Sequence, residues 1–316
     1  MAKSTRNKKR TPTLPPPPSD PNLSAPAERV YVLPPLPPRP ADGHKGTFGR
    51  ILIVGGSDEM LGAPVFAGTA ALRCGAGLVH VALAEHLLPH ALTLTPELIG
   101  HALTDSPKSL RRLLDDADKA DVIVAGPGMG LGKPARKRLL ALLEAAESKI
   151  LVLDADALTL LSQEKKWRAP KPDLNWIITP HPGEMKRLGK LFGSETIAQG
   201  DDARTALARQ AATHLRLHVI LKGARTVVTD GHRVYIDPAA DSSLAKAGTG
   251  DILAGTLAAF SAVLPNLFQA AALAVHTHAQ AGIHAGQKLG PHSTLATDIL
   301  NALPNAIQKL ATDGHR

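Results

Sequence analysis

A chain of 316 residues, 44% of them hydrophobic, can bury a sizeable core as one large domain or two small ones. The single cysteine, Cys74, excludes an internal disulfide framework and reads as a buried thiol of a reducing compartment. No run is apolar and long enough to span a bilayer and no apolar segment follows the N-terminal charges, so the expectation is a cytoplasmic protein with no membrane partner.

The net charge is +8, yet residues 1–50 hold nine Lys/Arg against three Asp/Glu and so carry +6 of it. The same region holds twelve of the 26 prolines, including Pro15 to Pro18 and Pro34-Pro35-Leu36-Pro37-Pro38-Arg39-Pro40. Residues 1–40 therefore read as a Pro-rich basic extension, extended or disordered instead of packed, ahead of one domain over 41–316. A solvated extension is preferred to a nucleic-acid arm, and no nucleic-acid partner is expected. Deleting residues 1–39 is expected to leave the melting temperature and activity nearly unchanged.

From Lys45 onward, short apolar runs alternate with helical patterns. Residues 50–54 read as a buried strand ending at Gly55-Gly56, and residues 63–73 as the helix after it. The strand signal recurs at 78–83, 121–125, 150–153, 176–179 and 218–221, and helical patterns at 133–148, 201–215 and 251–264. Strands alternating with helices imply βαβ units, and so an α/β fold with a mostly parallel sheet and helices on both faces. Such sheets bind ligands beyond the carboxyl ends of their strands.

The candidate chemistry falls at those ends. Gly55-Gly56-Ser57, Gly126-Pro127-Gly128-Met129-Gly130, Asp154-Ala155-Asp156, Thr179-Pro180-His181-Pro182-Gly183-Glu184 and Lys222-Gly223-Ala224-Arg225-Thr226 each follow a strand. One glycine turn means little, whereas five in register point to a ligand cleft. The G-x-G-x-x-G spacing of a Rossmann site is absent from residues 126–130, and so is a Walker loop. Asp154 and Asp156 read either as helix caps or as organisers of water or magnesium near phosphates. His181, between two prolines, is presented to a ligand by a restricted backbone. The Lys222 ammonium suits a nucleotide phosphate. Ala247-Gly248-Thr249-Gly250-Asp251 places a carboxylate behind small residues at a helix start, where unpaired N–H groups favour anions; Asp251 reads as a simple cap or as a reacting group.

Together with His44-Lys45-Gly46-Thr47-Phe48-Gly49, Gly62-Ala63-Pro64 and Leu221-Lys222-Gly223, these segments resemble the ADP-dependent NAD(P)H-hydrate dehydratases, ribokinase-like enzymes that repair hydrated nicotinamide cofactors. The resemblance covers roughly residues 41–311 in the family's order. It implies dehydration of the S epimer of NADHX or NADPHX, driven by ADP (ATP in eukaryotic relatives) with release of AMP and phosphate. By the same resemblance Asp251 is the general base and a substrate contact. Ala63, Gly128 and His181 contact the hydrated dinucleotide. Lys222, Gly223, Ala224, Arg225, Thr226 and Gly250 surround the nucleotide, and the backbone N–H groups of Gly248, Thr249 and Gly250 stabilise the transferring phosphoryl group. Mg2+ is expected with the nucleotide, without an assignable protein ligand. A homo-oligomer, commonly a tetramer, is expected, as is a separate epimerase for the R form, since many relatives carry that domain fused and a 40-residue extension cannot encode it. The competing readings are a vitamin-alcohol kinase of the same fold and a non-catalytic nucleotide-binding regulator.

Overall fold

The computed structural model describes residues 26–164 and 175–313. Its centre is a ten-stranded sheet in the order β1-β10-β9-β8-β7-β6-β5-β2-β3-β4. The strands are β1 (Glu28–Arg29), β2 (Arg50–Val54), β3 (Leu78–Ala84), β4 (Ile99–Leu103), β5 (Val122–Ala125), β6 (Ile150–Leu153), β7 (Trp176–Ile178), β8 (His218–Leu221), β9 (Val227–Thr229) and β10 (Arg233–Ile236). Only β9 runs antiparallel to its neighbours. Helices α1 (Gly62–Arg73), α2 (Leu88–Leu94), α8 (Thr249–Val263) and α9 (Leu267–Leu289) cover one face, with α10 (Ala296–Asp313) packed on α9 and α1. The other face is covered by α3 (Pro107–Lys119), α4 (Lys133–Ala145), α5 (Asp156–Ser162), α6 (Pro182–Leu188) and α7 (Asp201–Leu215).

The inner strands β2, β5, β6, β7 and β8 are predominantly apolar because both faces are covered, and successive side chains still divide between the two cores. Ile51 and Ile53 of β2 enter the core under α8, whereas Leu52 and Val54 enter the one under α4. Strand order reverses between β2 and β5, since β3 and β4 extend one way and β5 to β8 the other. Crevices at such reversals are where open α/β sheets hold ligands. Here the two strand ends nearly touch: Gly56 N–H donates to Pro127 O at 2.9 Å, and a Cβ at Gly55 would lie 2.1 Å from the same oxygen. A comparable approach joins α1 to α8, where a Cβ at Gly255 would lie 2.0 Å from Ala67 O.

The expected parallel sheet with helices on both faces is present, but the N-terminal extension is read differently by the structure. Residues 1–25 lie outside the described residues; residues 26–40 run along the body. Glu28 and Arg29 add β1 beside β10, with Glu28 N–H donating to His232 O (3.1 Å) and Val30 N–H to Val234 O (2.9 Å). Val30, Leu33 and Leu36 pack on the core, and Arg39 lies 3.6 Å over the Phe48 ring while donating to Gly75 O at 2.8 Å. Prolines exclude helix and interior strand yet allow an extended segment at a sheet edge, so a boundary at residue 41 falls after packing has begun.

Candidate active site

Gly248 (φ 91°) turns the chain into α8, and Thr249 ties that turn down through its hydroxyl, which donates to Leu244 O (2.9 Å) and Lys246 O (3.0 Å). Thr249 N–H is directed at Lys246 O (3.4 Å), while Gly248 O accepts from Ile252 N–H (3.2 Å). Among the described residues no protein acceptor meets the N–H groups of Gly250 and Asp251. Of the three N–H groups expected to serve an anion, Thr249's is thus partly engaged, whereas those of Gly248 and Gly250 meet no protein acceptor among the described residues, and Asp251 adds a further open donor.

Asp251 is the third residue of α8 and joins a cluster of charges drawn from the ends of β6, β7 and β8. Lys222 Nζ lies 2.7 Å from Asp154 Oδ1 and 3.9 Å from Glu184 Oε2. Asp154 is 1% exposed, so its charge depends on that ammonium. Burial pulls the Lys222 pKa down, but Asp154, Glu184 and Asp251 outweigh it and hold the group above its ordinary value. For Asp251 and Glu184 burial prevails instead. Burial, reinforced by Asp154, pushes Asp251 up to about 7, with Lys222 only partly offsetting it. Burial likewise pushes Glu184 up to about 7 against the pull of Lys222. A carboxylate poised there can exchange a proton at neutral pH. Asp156 faces another way and accepts from Gly130 N–H at 2.8 Å, fixing the turn after β5.

The loop after β8 is built by a residue that sequence reasoning did not single out. Arg204 of α7, almost fully buried, donates to Ala224 O (2.6 Å), Arg225 O (3.0 Å), Leu221 O (3.1 Å) and Lys222 O (3.4 Å). Its fork converts four carbonyls into a fixed turn, which leaves Lys222, Gly223, Ala224 and Thr226 lining a cavity of about 570 Å³ together with His181 and Gly250. Arg225 does not line it; its side chain turns to Asp201 (2.7 Å), and its N–H donates to Ala239 O (2.8 Å). Across the cavity run residues 239–242, and α9 contributes Val275, His278 and Ala279. No pattern in α7 marks Arg204, because its partners are backbone atoms about twenty residues away.

His181 caps α6. Its N–H donates to Glu184 Oε2 (2.8 Å), and its Nδ1 accepts from Gly183 N–H (3.0 Å) and Glu184 N–H (3.4 Å). An Nδ1 that accepts leaves the proton on Nε2, 3.4 Å from Glu184 Oε1. Burial and the nearby Lys222 and Arg187 cations keep the ring below its ordinary pKa, consistent with that neutral form. Ala63 and Gly128 meet each other outside the 570 Å³ cavity: a Cβ at Gly128 (φ 59°) would sit 3.2 Å from Ala63 Cβ and 2.5 Å from Met60 O. The structure therefore places His181 and Gly250 beside the charge cluster of Lys222, Asp154, Glu184 and Asp251, with Ala63 and Gly128 forming a separate wall.

A mostly parallel sheet, a cleft where its strand order reverses and an acid at a helix start together define a ribokinase-like architecture. A ribokinase-like superfamily protein from Enterococcus faecalis V583 superposes with a TM-score of 0.77 at 29% identity, covering 88% of this chain and 93% of that one. Residues 51–305 match the family model described as NAD(P)H-hydrate dehydratase, and the chain belongs to that family. It is 34% identical to the ADP-dependent (S)-NAD(P)H-hydrate dehydratase of Neisseria meningitidis serogroup B over 85% of this chain and 90% of that protein. The ADP/ATP-dependent NAD(P)H-hydrate dehydratase of Bacillus subtilis, co-crystallised with ATP and Mg2+, is similar at a TM-score of 0.73 and 26% identity, covering 87% and 95% of the two chains. The chain spans about half the length of other curated relatives it matches, the bifunctional NAD(P)H-hydrate repair enzymes.

Proposed function

We propose that this protein dehydrates the S epimer of NADHX and NADPHX, using ADP as the phosphoryl donor and releasing AMP and phosphate. The observation that carries the reading is the position of Asp251, a carboxylate raised to about 7 at the first turn of α8, beside the Lys222–Asp154 pair and open backbone N–H groups. In this reading Asp251 takes the proton of the C6 hydroxyl as its oxygen attacks the terminal phosphorus of the nucleotide. The new phosphate ester then leaves with its C–O bonding electrons, expelled by the ring nitrogen lone pair. Loss of the C5 proton restores the reduced nicotinamide. Gly250 and Asp251 N–H groups receive charge on the transferring group, and Lys222 balances the phosphates.

Magnesium enters this proposal with the nucleotide. Among the described residues no group of three or more His, Cys, Asp or Glu is placed to hold a metal. The ion therefore needs the phosphates as its principal ligands, as Mg2+ commonly does in such sites. The same proposal includes a homotetramer, which a native mass would test, and work in the cytoplasm beside an epimerase acting on the R form. Among the described residues no helix is long and apolar enough to cross a membrane.

The direct test is to incubate enzymatically prepared NADHX with the protein and ADP or ATP and follow NADH absorbance. Nucleotide-dependent recovery of NADH is expected; its absence with both nucleotides would overturn the assignment.

A further inference from the structure

Asp237, one residue beyond β10, is 1% exposed and lies at the wall of the 570 Å³ cavity, facing neither Asp251 nor the Lys222 ammonium within hydrogen-bond reach. Both of its oxygens are occupied. Oδ1 accepts from Ala239 N–H at 2.9 Å, and Oδ2 accepts from the Tyr235 hydroxyl at 2.8 Å and from His276 Nδ1 at 3.1 Å. Its own N–H donates to Thr226 O at 3.0 Å, next to the bond from Arg225 N–H to Ala239 O at 2.8 Å. The carboxylate thus sits at the point where two cavity walls, residues 223–226 and 239–241, are stitched together. Burial alone would raise its pKa, but the donors from His276, Ala239 and Tyr235 outweigh burial and hold it below the ordinary carboxylate range. Burial and the Asp237 charge raise the Tyr235 hydroxyl, which therefore stays a donor.

We infer that Asp237 is a positioning residue for the adenine nucleotide: an ionised, fully engaged carboxylate that sets the width of the nucleotide cavity by fixing the 239–241 segment against the Lys222–Thr226 loop. The inference rests on the nucleotide-dependent reading above, and it assigns Asp237 no contact with the reacting atoms. A carboxylate is required because three donors converge on two oxygens; an amide of the same size presents one oxygen and one donor to them. A hydrogen bond to a charged acceptor that is replaced by a clash of donors costs enough to reshape the junction of these two segments, which are otherwise joined to each other by the backbone bonds Asp237 N–H to Thr226 O and Arg225 N–H to Ala239 O.

The test is calorimetric titration of the full-length protein with ADP and, separately, with NADH as a stand-in for the hydrated dinucleotide. Asp237→Asn is expected to weaken ADP roughly tenfold or more while changing NADH by less than about twofold. His276→Asn retains a donor near the Nδ1 position and should bind ADP close to wild type, whereas His276→Ala should weaken it. At saturating ADP, the kcat of Asp237→Asn should approach that of wild type, with the defect in KM for ADP. Equal weakening of ADP and NADH, or unchanged ADP affinity, would overturn the inference. Should Asp237→Asn fail to fold, Tyr235→Phe removes one donor only and must weaken ADP selectively for the inference to stand. If the wild type binds ADP but restores no NADH from NADHX, the functional reading fails while the positioning role is still decided by the titrations.

Discussion

The two sides of the cleft are made by opposite means. The wall of Ala63 and Gly128 exists through what is missing, since side chains at Gly55, Gly126 and Gly128 would strike Pro127 O, Asp154 O and Met60 O at 2.1, 1.8 and 2.5 Å. The proposed nucleotide wall exists through what has been added, the Arg204 fork under residues 221–225 and the Asp237 carboxylate beside residue 239. Close backbone approach gives a rigid wall that tolerates almost no substitution. Side-chain scaffolding gives a loop whose shape depends on a few buried charges being satisfied. Between the two walls lies the Lys222, Asp154, Glu184 and Asp251 cluster, joined to the second wall through Lys222.

The largest effect is expected where the walls meet. Asp251→Asn should lower NADH regeneration by roughly a hundred- to ten-thousand-fold, since the amide keeps the size of the side chain and loses its basicity. Wild-type kcat should rise with pH through about 7 as Asp251 ionises. Stability moves the other way. A carboxylate raised from its unfolded value stays protonated in the folded state over the interval between the two, where the unfolded chain has already ionised. Its stabilising contribution is complete below pH about 4 and is lost as pH rises through about 7. Asp251→Asn should consequently melt higher than wild type at pH 8, with little difference at pH 4. A mutant with wild-type turnover, or one that melts lower at pH 8, would remove Asp251 from its role.

Next in size is Lys222→Ala, expected to weaken ADP by about 1.5 to 3 kcal/mol through loss of a charge-assisted phosphate contact. The same change strands Asp154 in the interior, so the melting temperature should fall as well. His181→Ala should weaken NADH more than ADP. Because Glu184 lies within 3.9 Å of Lys222 and 3.4 Å of His181, the double mutant should depart from additivity. Additive titrations would separate the half-sites more cleanly than the geometry does.

Gly128→Ala probes the other wall. The left-handed backbone costs a side chain about 1 to 2 kcal/mol, and the contact with Met60 O requires the loop to shift. NADH affinity should drop about tenfold with ADP affinity little changed. The smallest effect on activity is expected at the N-terminal edge strand. Deleting residues 1–39 should lower the melting temperature by a few degrees, on the order of 2 kcal/mol, because Val30, Leu33 and Leu36 lose their packing. Catalysis should be retained, and an unchanged melting temperature would show that β1 contributes nothing.

What could be read from the sequence follows the same division. Glycine turns at strand ends are visible as letters, so the five strand-end segments and the α8 start stand out, and the buried strands appear as apolar runs. Ile99–Leu103 carries a Gly and a His and forms the edge strand β4, where one-sided exposure erases the apolar signal. The short β9 and β10 hairpin strands leave too few residues for a pattern. The helix of residues 133–148 ends at Ala145, and α8 begins two residues earlier than its apolar run suggests, since Thr249 and Gly250 carry no apolar signal. Arg204, Asp237 and the coupling of Glu184 to Lys222 are illegible because each depends on atoms brought together from helices and loops distant in sequence. Asp237 and Tyr235 are neighbours in sequence, but their joint meaning comes from His276, thirty-nine residues on.

Gly255 stands one turn beyond Asp251 on the same helix, with α1 pressed against it at Ala67, itself one turn beyond Ala63. The two helices are consequently a single gauge block, and the separation between Asp251 and the wall of Ala63 and Gly128 is set by how closely their backbones approach. A methyl group at position 255 touches no ligand, yet it would have to push Asp251 away from Ala63 to be accommodated. The spacing between the proposed base and the proposed substrate wall is therefore written into a glycine buried well behind both.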